Sequence, residues 1–205
     1  MDRFSLFFAF YGLILGLALT EILSGFAHLV RTRSLHRMEA QTALLALFGF
    51  LAITTIWIDA FSALREVQLT FRSLWPPILT ATFYYLGATV IFPSDPADFD
   101  RLATYYAERK RFVITMFFAC ELLATYMVLP FIEVGYREAP AATWLYYLPF
   151  NLLIKGSYIG VFFARSRIAN LVWLSILILL LGAQYWENGA IGDWVQQRFG
   201  ALWAG

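Results

Sequence analysis

Four ionisable residues stand inside otherwise apolar runs of this 205-residue chain: Glu21, Asp59, Glu121 and Lys155. A charge held in hydrocarbon costs several kcal/mol unless it is paired, protonated or reached by water, so such residues mark relays, ion sites or helix-fixing pairs. A lysine among carboxylates can do two kinds of work. It can neutralise one of them and fix helix register. It can also share a site that is one negative charge in excess and so takes a proton or a small cation. Glu21, Glu121 and Lys155 are the trio this chemistry would use. Ser24 and His28 extend it, because at 100° per residue Thr20, Glu21, Ser24 and His28 fall within an arc of about 100° on one helix. An acid, a hydroxyl and an imidazole in line are the parts of a proton or cation relay, and equally of a polar helix–helix seam. Asp59 reads as a structural partner for Arg65 or Arg72 near the membrane surface.

The elements that must position these residues are apolar helices. Hydrophobic residues make up 60% of the chain and charged residues only 14%, against the roughly 45–50% apolar usual in soluble domains. Runs long enough to cross a hydrocarbon core of about 30 Å lie at about residues 4–30, 41–64, 74–92, 112–133, 141–164 and 168–186. The expectation is an all-α membrane bundle of six transmembrane helices forming one domain over 1–205. The first run is far longer than a signal-peptide core and reads as a spanning helix. The third is expected to begin at Pro76-Pro77, since proline suits a first turn. With a rise of about 1.5 Å per residue, Glu21 and Lys155 sit about 6 and 5 Å to one side of their helix midpoints, and Glu121 within about 2 Å of the centre of its own. The three are at compatible depth, and converge if helices 1, 4 and 5 touch.

Charge outside the spans gives an orientation. Nine arginines and lysines fall in the loops after helices 1, 3 and 5, and five on the other side. Basic residues mark the cytoplasmic face, which places both termini outside the cytoplasm. Two stretches read as interfacial helices lying on the membrane. One covers about 98–111, with Phe99, Leu102, Tyr105 and Tyr106 over the basic run Arg109-Lys110-Arg111; the other covers about 189–203. The first is also a candidate docking face for a protein partner, through Tyr105, Tyr106, Arg109, Lys110 and Arg111.

Similar segments, Glu21-Ile22-Leu23-Ser24-Gly25-Phe26 and Glu121-Leu122-Leu123-Ala124-Thr125-Tyr126, recur at an offset of 100 residues. Helices 1–3 and 4–6 would then be inverted repeats of the kind many transporters use, with the two glutamates as symmetry mates. Gly12 and Gly16 form a GxxxG step that permits close helix approach and, with other small residues, a homo-oligomer.

The arginine-ended, glycine-rich first helix, the Phe-Pro stop after helix 3 and DFDRLATYYAERKRFVITMFF together resemble a broad family of uncharacterised bacterial multi-pass membrane proteins. That resemblance implies a bacterial inner membrane and this topology, and supplies no catalytic residue.

The chain carries no HExxH, GxSxG, Walker loop or GxGxxG signature, so no catalytic residue is assigned. Its single cysteine, Cys120, excludes an intrachain disulfide and reads as a packing residue. His28 and His36 are too few for most all-histidine metal sites; a haem would have to use His28, and no metal or cofactor is assigned. The net charge of +1 gives no sign of nucleic-acid binding. Two functions remain open: a membrane protein that carries or conducts a proton or small cation through Glu21, Glu121 and Lys155, and a non-transporting scaffold or accessory subunit that docks a partner through 93–111.

Overall fold

The computed structural model describes residues 3–33, 38–64, 70–138 and 148–186. The described chain is all-α, with six helices: α1 (Arg3–Arg31), α2 (Ala40–Leu64), α3 (Phe71–Ala88), α4 (Leu102–Glu138), α5 (Leu148–Phe163) and α6 (Arg167–Trp186). A 3-10 segment, Pro96–Arg101, leads into α4. Three stretches are long and apolar enough to cross a membrane: Phe4–Arg31, Ala40–Phe61 and Arg167–Gln184. The shorter α5 is apolar as well. Large apolar side chains such as Leu13, Leu17, Leu152, Ile159, Val172 and Leu179 point outward. An exterior of this kind suits hydrocarbon, because helices apolar on all sides lose nothing by facing lipid.

The helices close a ring in the order α1, α3, α4, α5, α6, α2, and α2 also touches α3 and α4 across the middle. Of the three long apolar stretches, the one in α2 is the most deeply covered. The core repeats at helical spacing. In α1 it runs Tyr11, Leu15, Ala18, Ile22 and Leu29; in α4, Val113, Phe117 and Cys120 continue a stripe begun by Leu102, Tyr106 and Lys110. Gly25 is required for close approach: a Cβ there would lie 2.2 Å from the Phe92 ring, which packs over the end of α1. Gly12 likewise faces the Trp57 indole of α2 at 3.2 Å, whereas Gly16 opens onto a groove of about 370 Å³ between α1 and α2.

Three expected boundaries move. The third helix starts at Phe71, ahead of the prolines, because Thr70 and Ser73 form a reciprocal capping box that satisfies its first amides. It ends at Ala88, and a turn carries the buried Ile91 and Phe92 back onto the bundle. The 98–111 segment is not a separate helix. Only its first residues are 3-10; from Leu102 it is the opening three turns of α4, which at 37 residues is about 55 Å long. The two halves also pack differently. α1 lies along α3, while the corresponding α4 meets α6 through side-chain hydrogen bonds at one end, so the packing lends the inverted repeat no symmetry. The interfacial stretch at 189–203, the start of the fifth run at 141–147 and the side chains of Arg65 and Arg72 lie outside the described residues.

Candidate functional site

Two of the three central charges meet. Lys155 on α5 donates from Nζ to Oε1 of Glu121 on α4 at 3.2 Å, and to Asn151 Oδ1, one helical turn away, also at 3.2 Å. The side chains of the lysine and the glutamate are 20% and 23% exposed. The pair is therefore largely withdrawn from the surroundings without being sealed. α4 and α5 bring it together because they are ring neighbours and run antiparallel, so residues at equal depth face each other.

Glu21 does not join them. It stands exposed on α1, as does Ser24, and His28 is half-buried. The reason is the rotation of α1. Its core line of Leu15, Ala18, Ile22 and Leu29 packs toward α3 and α2, and Glu21, one residue before Ile22, points about 100° away from it. His28 instead stacks on Phe99, with ring centroids 4.1 Å apart, and so ties α1 to the 3-10 segment.

Glu121 lines a partly open cavity of about 90 Å³, room for several waters. Asp59 of α2, Thr55 and Gln184 add polar groups to its wall, and Phe48, Tyr84 and Tyr158 add aromatic ones. Cys120, buried in the same wall, directs its Sγ to the Thr80 carbonyl at 3.4 Å and acts as a packing residue. The sequence reads Asp59 as a structural partner for Arg65 or Arg72 and singles out neither tyrosine, yet all three line this cavity. Polar aromatic residues in mid-span were the available signal, and periodicity could not say which way they turned.

A second polar centre lies at the arginine-rich end. Lys110 is 7% exposed. Its ammonium donates to the carbonyls of Val161 and Ala164, at the end of α5, and to Asn170 Oδ1 on α6 at 2.8 Å. Tyr106, one turn earlier, donates to the same Asn170 oxygen at 3.1 Å. A cation at a helix C-terminus meets carbonyls left without amide partners and the negative end of the helix dipole. Burial pulls the Lys110 ammonium below the usual lysine range, and the neighbouring Arg111 charge adds to that; burial raises the Tyr106 phenol. Around this centre, Arg111 lies over the Phe162 ring at 5.5 Å, and Arg167 pairs with Glu39 at 3.1 Å. Of the five residues considered for partner docking, Tyr106 and Lys110 thus face inward. Arg109 and Arg111 are exposed, and the half-buried Tyr105 donates to the Phe92 carbonyl at 3.2 Å. The clue in the sequence was the spacing 102, 106, 110, 113, 117, which puts Lys110 on the buried stripe of α4.

No family model, curated protein or solved structure matches the chain.

Proposed function

We propose that this is an integral membrane protein whose six helices all cross the bilayer, and that it moves a proton or small cation through the cavity at Glu121 and Lys155. The observation that carries the reading is the placement of the Glu121–Lys155 pair on the wall of a cavity shared with Asp59. A pair serving only to fix two helices needs no such opening. A carboxylate that water can reach, with an ammonium as exchangeable counter-ion, has the parts required to take up and release a positive charge. Asp59 and Gln184, toward the ends of their helices, put the cavity on the side away from the arginine-rich end. The positive-inside bias assigns that arginine-rich end to the cytoplasm, and the family resemblance points to a bacterial inner membrane.

A homo-oligomer fits the same reading. Glu21 and Ser24 stand on an apolar exterior, and a carboxylate facing hydrocarbon is costly unless a neighbouring helix or bound water covers it. A second copy is the neighbour at hand.

The test is ion flux into liposomes holding the purified protein. Wild type is expected to carry protons or an alkali cation, and Glu121→Gln to lose most of that flux. A silent wild type, or a Glu121→Gln protein as active as wild type, would remove the proposal.

A further inference from the structure

We infer that the arginine-rich end of α5 holds the phosphate of an anionic phospholipid, gripped by Arg111 of α4 and Arg165 of the turn into α6. The inference uses the membrane placement proposed above and none of the ion chemistry at Glu121. Arg111 lies over the Phe162 ring at 5.5 Å, and Arg165 follows Phe162 by three residues, just past the last turn of the same helix. Both arginines are exposed. Lys110 stands beside them, its ammonium donating to the carbonyls of Val161 and Ala164 and to Asn170. Three cations thus gather at one helix end, and among the described residues none of them forms an ion pair. The acids that do pair near this end answer other arginines: Glu39 meets Arg167, and Asp98 meets Arg101. Even with the exposed Glu108, one turn before Arg111, the cluster keeps a positive excess.

A helix C-terminus ordinarily turns an anion away, because its last carbonyls carry the negative end of the helix dipole. Here Lys110 covers those carbonyls, and since its partners are neutral oxygens its charge is not cancelled. The guanidinium groups nearby can then offer a phosphate paired N–H donors in the planar fork that suits it. The surroundings give that phosphate a hydrocarbon tail. Phe163, next to the site, is 66% exposed, and Ile159, one turn back along α5, and Ile168, at the start of α6, are exposed as well. A free phosphate gains nothing from such a border, whereas a lipid whose headgroup meets the arginines lays its acyl chains along it. Basic clusters at cytoplasmic helix ends hold anionic lipids in this manner.

The experiment titrates the full-length protein in detergent micelles with phosphatidylglycerol and with phosphatidylcholine of the same chain length, and counts bound lipid by native mass spectrometry. Phosphatidylglycerol is expected to bind about thirtyfold more tightly, the equivalent of two basic contacts of about 1 kcal/mol each. Arg111→Gln and Arg165→Gln should each weaken it about fivefold, and together bring it to the level of phosphatidylcholine. Arg111→Lys keeps the charge and loses the fork, so its affinity should fall between wild type and Arg111→Gln. Arg31→Gln combined with Arg33→Gln removes two charges from the same end of the bundle, at α1, and should leave binding unchanged. All four arginines are exposed, so the variants should fold as wild type does. Equal binding of the two lipids overturns the inference. So does an equal loss from the α1 variant, which would show only diffuse attraction to a basic face. Glycerol phosphate bound as tightly as the lipid would assign the site to a free anion and overturn it as well. None of these results depends on ion flux or on Glu121; a protein that stays dispersed without detergent would instead remove the membrane placement, and this inference with it.

Discussion

Two lysines are withdrawn into this bundle, and they are held in opposite ways. Lys155 meets a carboxylate beside a cavity. Lys110 meets only neutral oxygens, two of them backbone carbonyls at the end of α5, with a third on Asn170. A lysine paired with an acid can give up its partner to a proton or a competing cation, since the exchange leaves the charge balance intact. A lysine that caps a helix end has no such exchange open to it. Removing it leaves carbonyls buried and unsatisfied. Burial of a charge does not by itself mark a site of traffic; the nature of the partner and the access of water do.

The largest effect is expected at Lys110. Lys110→Met should destabilise the protein by about 3 kcal/mol, the scale of losing charged hydrogen bonds while their acceptors stay buried. Thermal unfolding in detergent micelles would show it, and a variant as stable as wild type would mean that the knot of Lys110, Tyr106 and Asn170 holds nothing together.

At the other lysine the effect on stability should be smaller and the pair should be separable. Lys155→Met and Glu121→Gln are each expected to cost about 1 kcal/mol, between the values for exposed and fully buried pairs. Combined, they should show a coupling of about 1 kcal/mol in a double-mutant cycle. Additive losses would mean that the 3.2 Å contact carries no energy of its own.

The smallest effect is in pH. Because burial lowers the Lys110 ammonium, the unfolded chain binds more protons than the folded one between that lowered value and the ordinary lysine range. Stability then rises with pH across that window. The phenols of Tyr105 and Tyr106, raised by burial, act with the opposite sign above about pH 10. As pH rises toward the ordinary lysine range, the melting temperature of wild type should therefore climb slightly relative to Lys110→Met. Parallel curves for the two proteins would count against a strained ammonium at this position.

Much of this architecture could be read from residue order. The apolar runs gave the helices of the described chain, and the positions of Glu121 and Lys155 along α4 and α5, at about 1.5 Å per residue, put the two at one depth. Their contact followed once those helices proved to be neighbours. The same arithmetic put Glu21 at that depth too, and there it misled, because depth along a helix says nothing about rotation around it. In a helix with a one-sided apolar stripe the sequence supplies that rotation. α1 is apolar nearly all round: Leu13 and Leu17 lie on its exposed face while Leu15 and Ile22 lie in the core. No pattern of hydropathy separates the two faces when the surroundings are as apolar as the interior.

The tertiary structure therefore decided the matters that turn on rotation and continuity. It set Glu21 outside and Glu121 inside. It ran 102–111 straight into α4, so that a basic, aromatic stretch that reads as a surface helix carries Tyr106 and Lys110 into the bundle. It also gathered Asp59, Tyr84 and Tyr158, from three different helices, onto one cavity wall. Residue order settles what depends on composition along a line: how many apolar helices there are and where along each a charge falls. Which charges meet depends on how helices turn against one another, and that is fixed by packing contacts such as Phe92 in the notch at Gly25, where the whole set must fit at once.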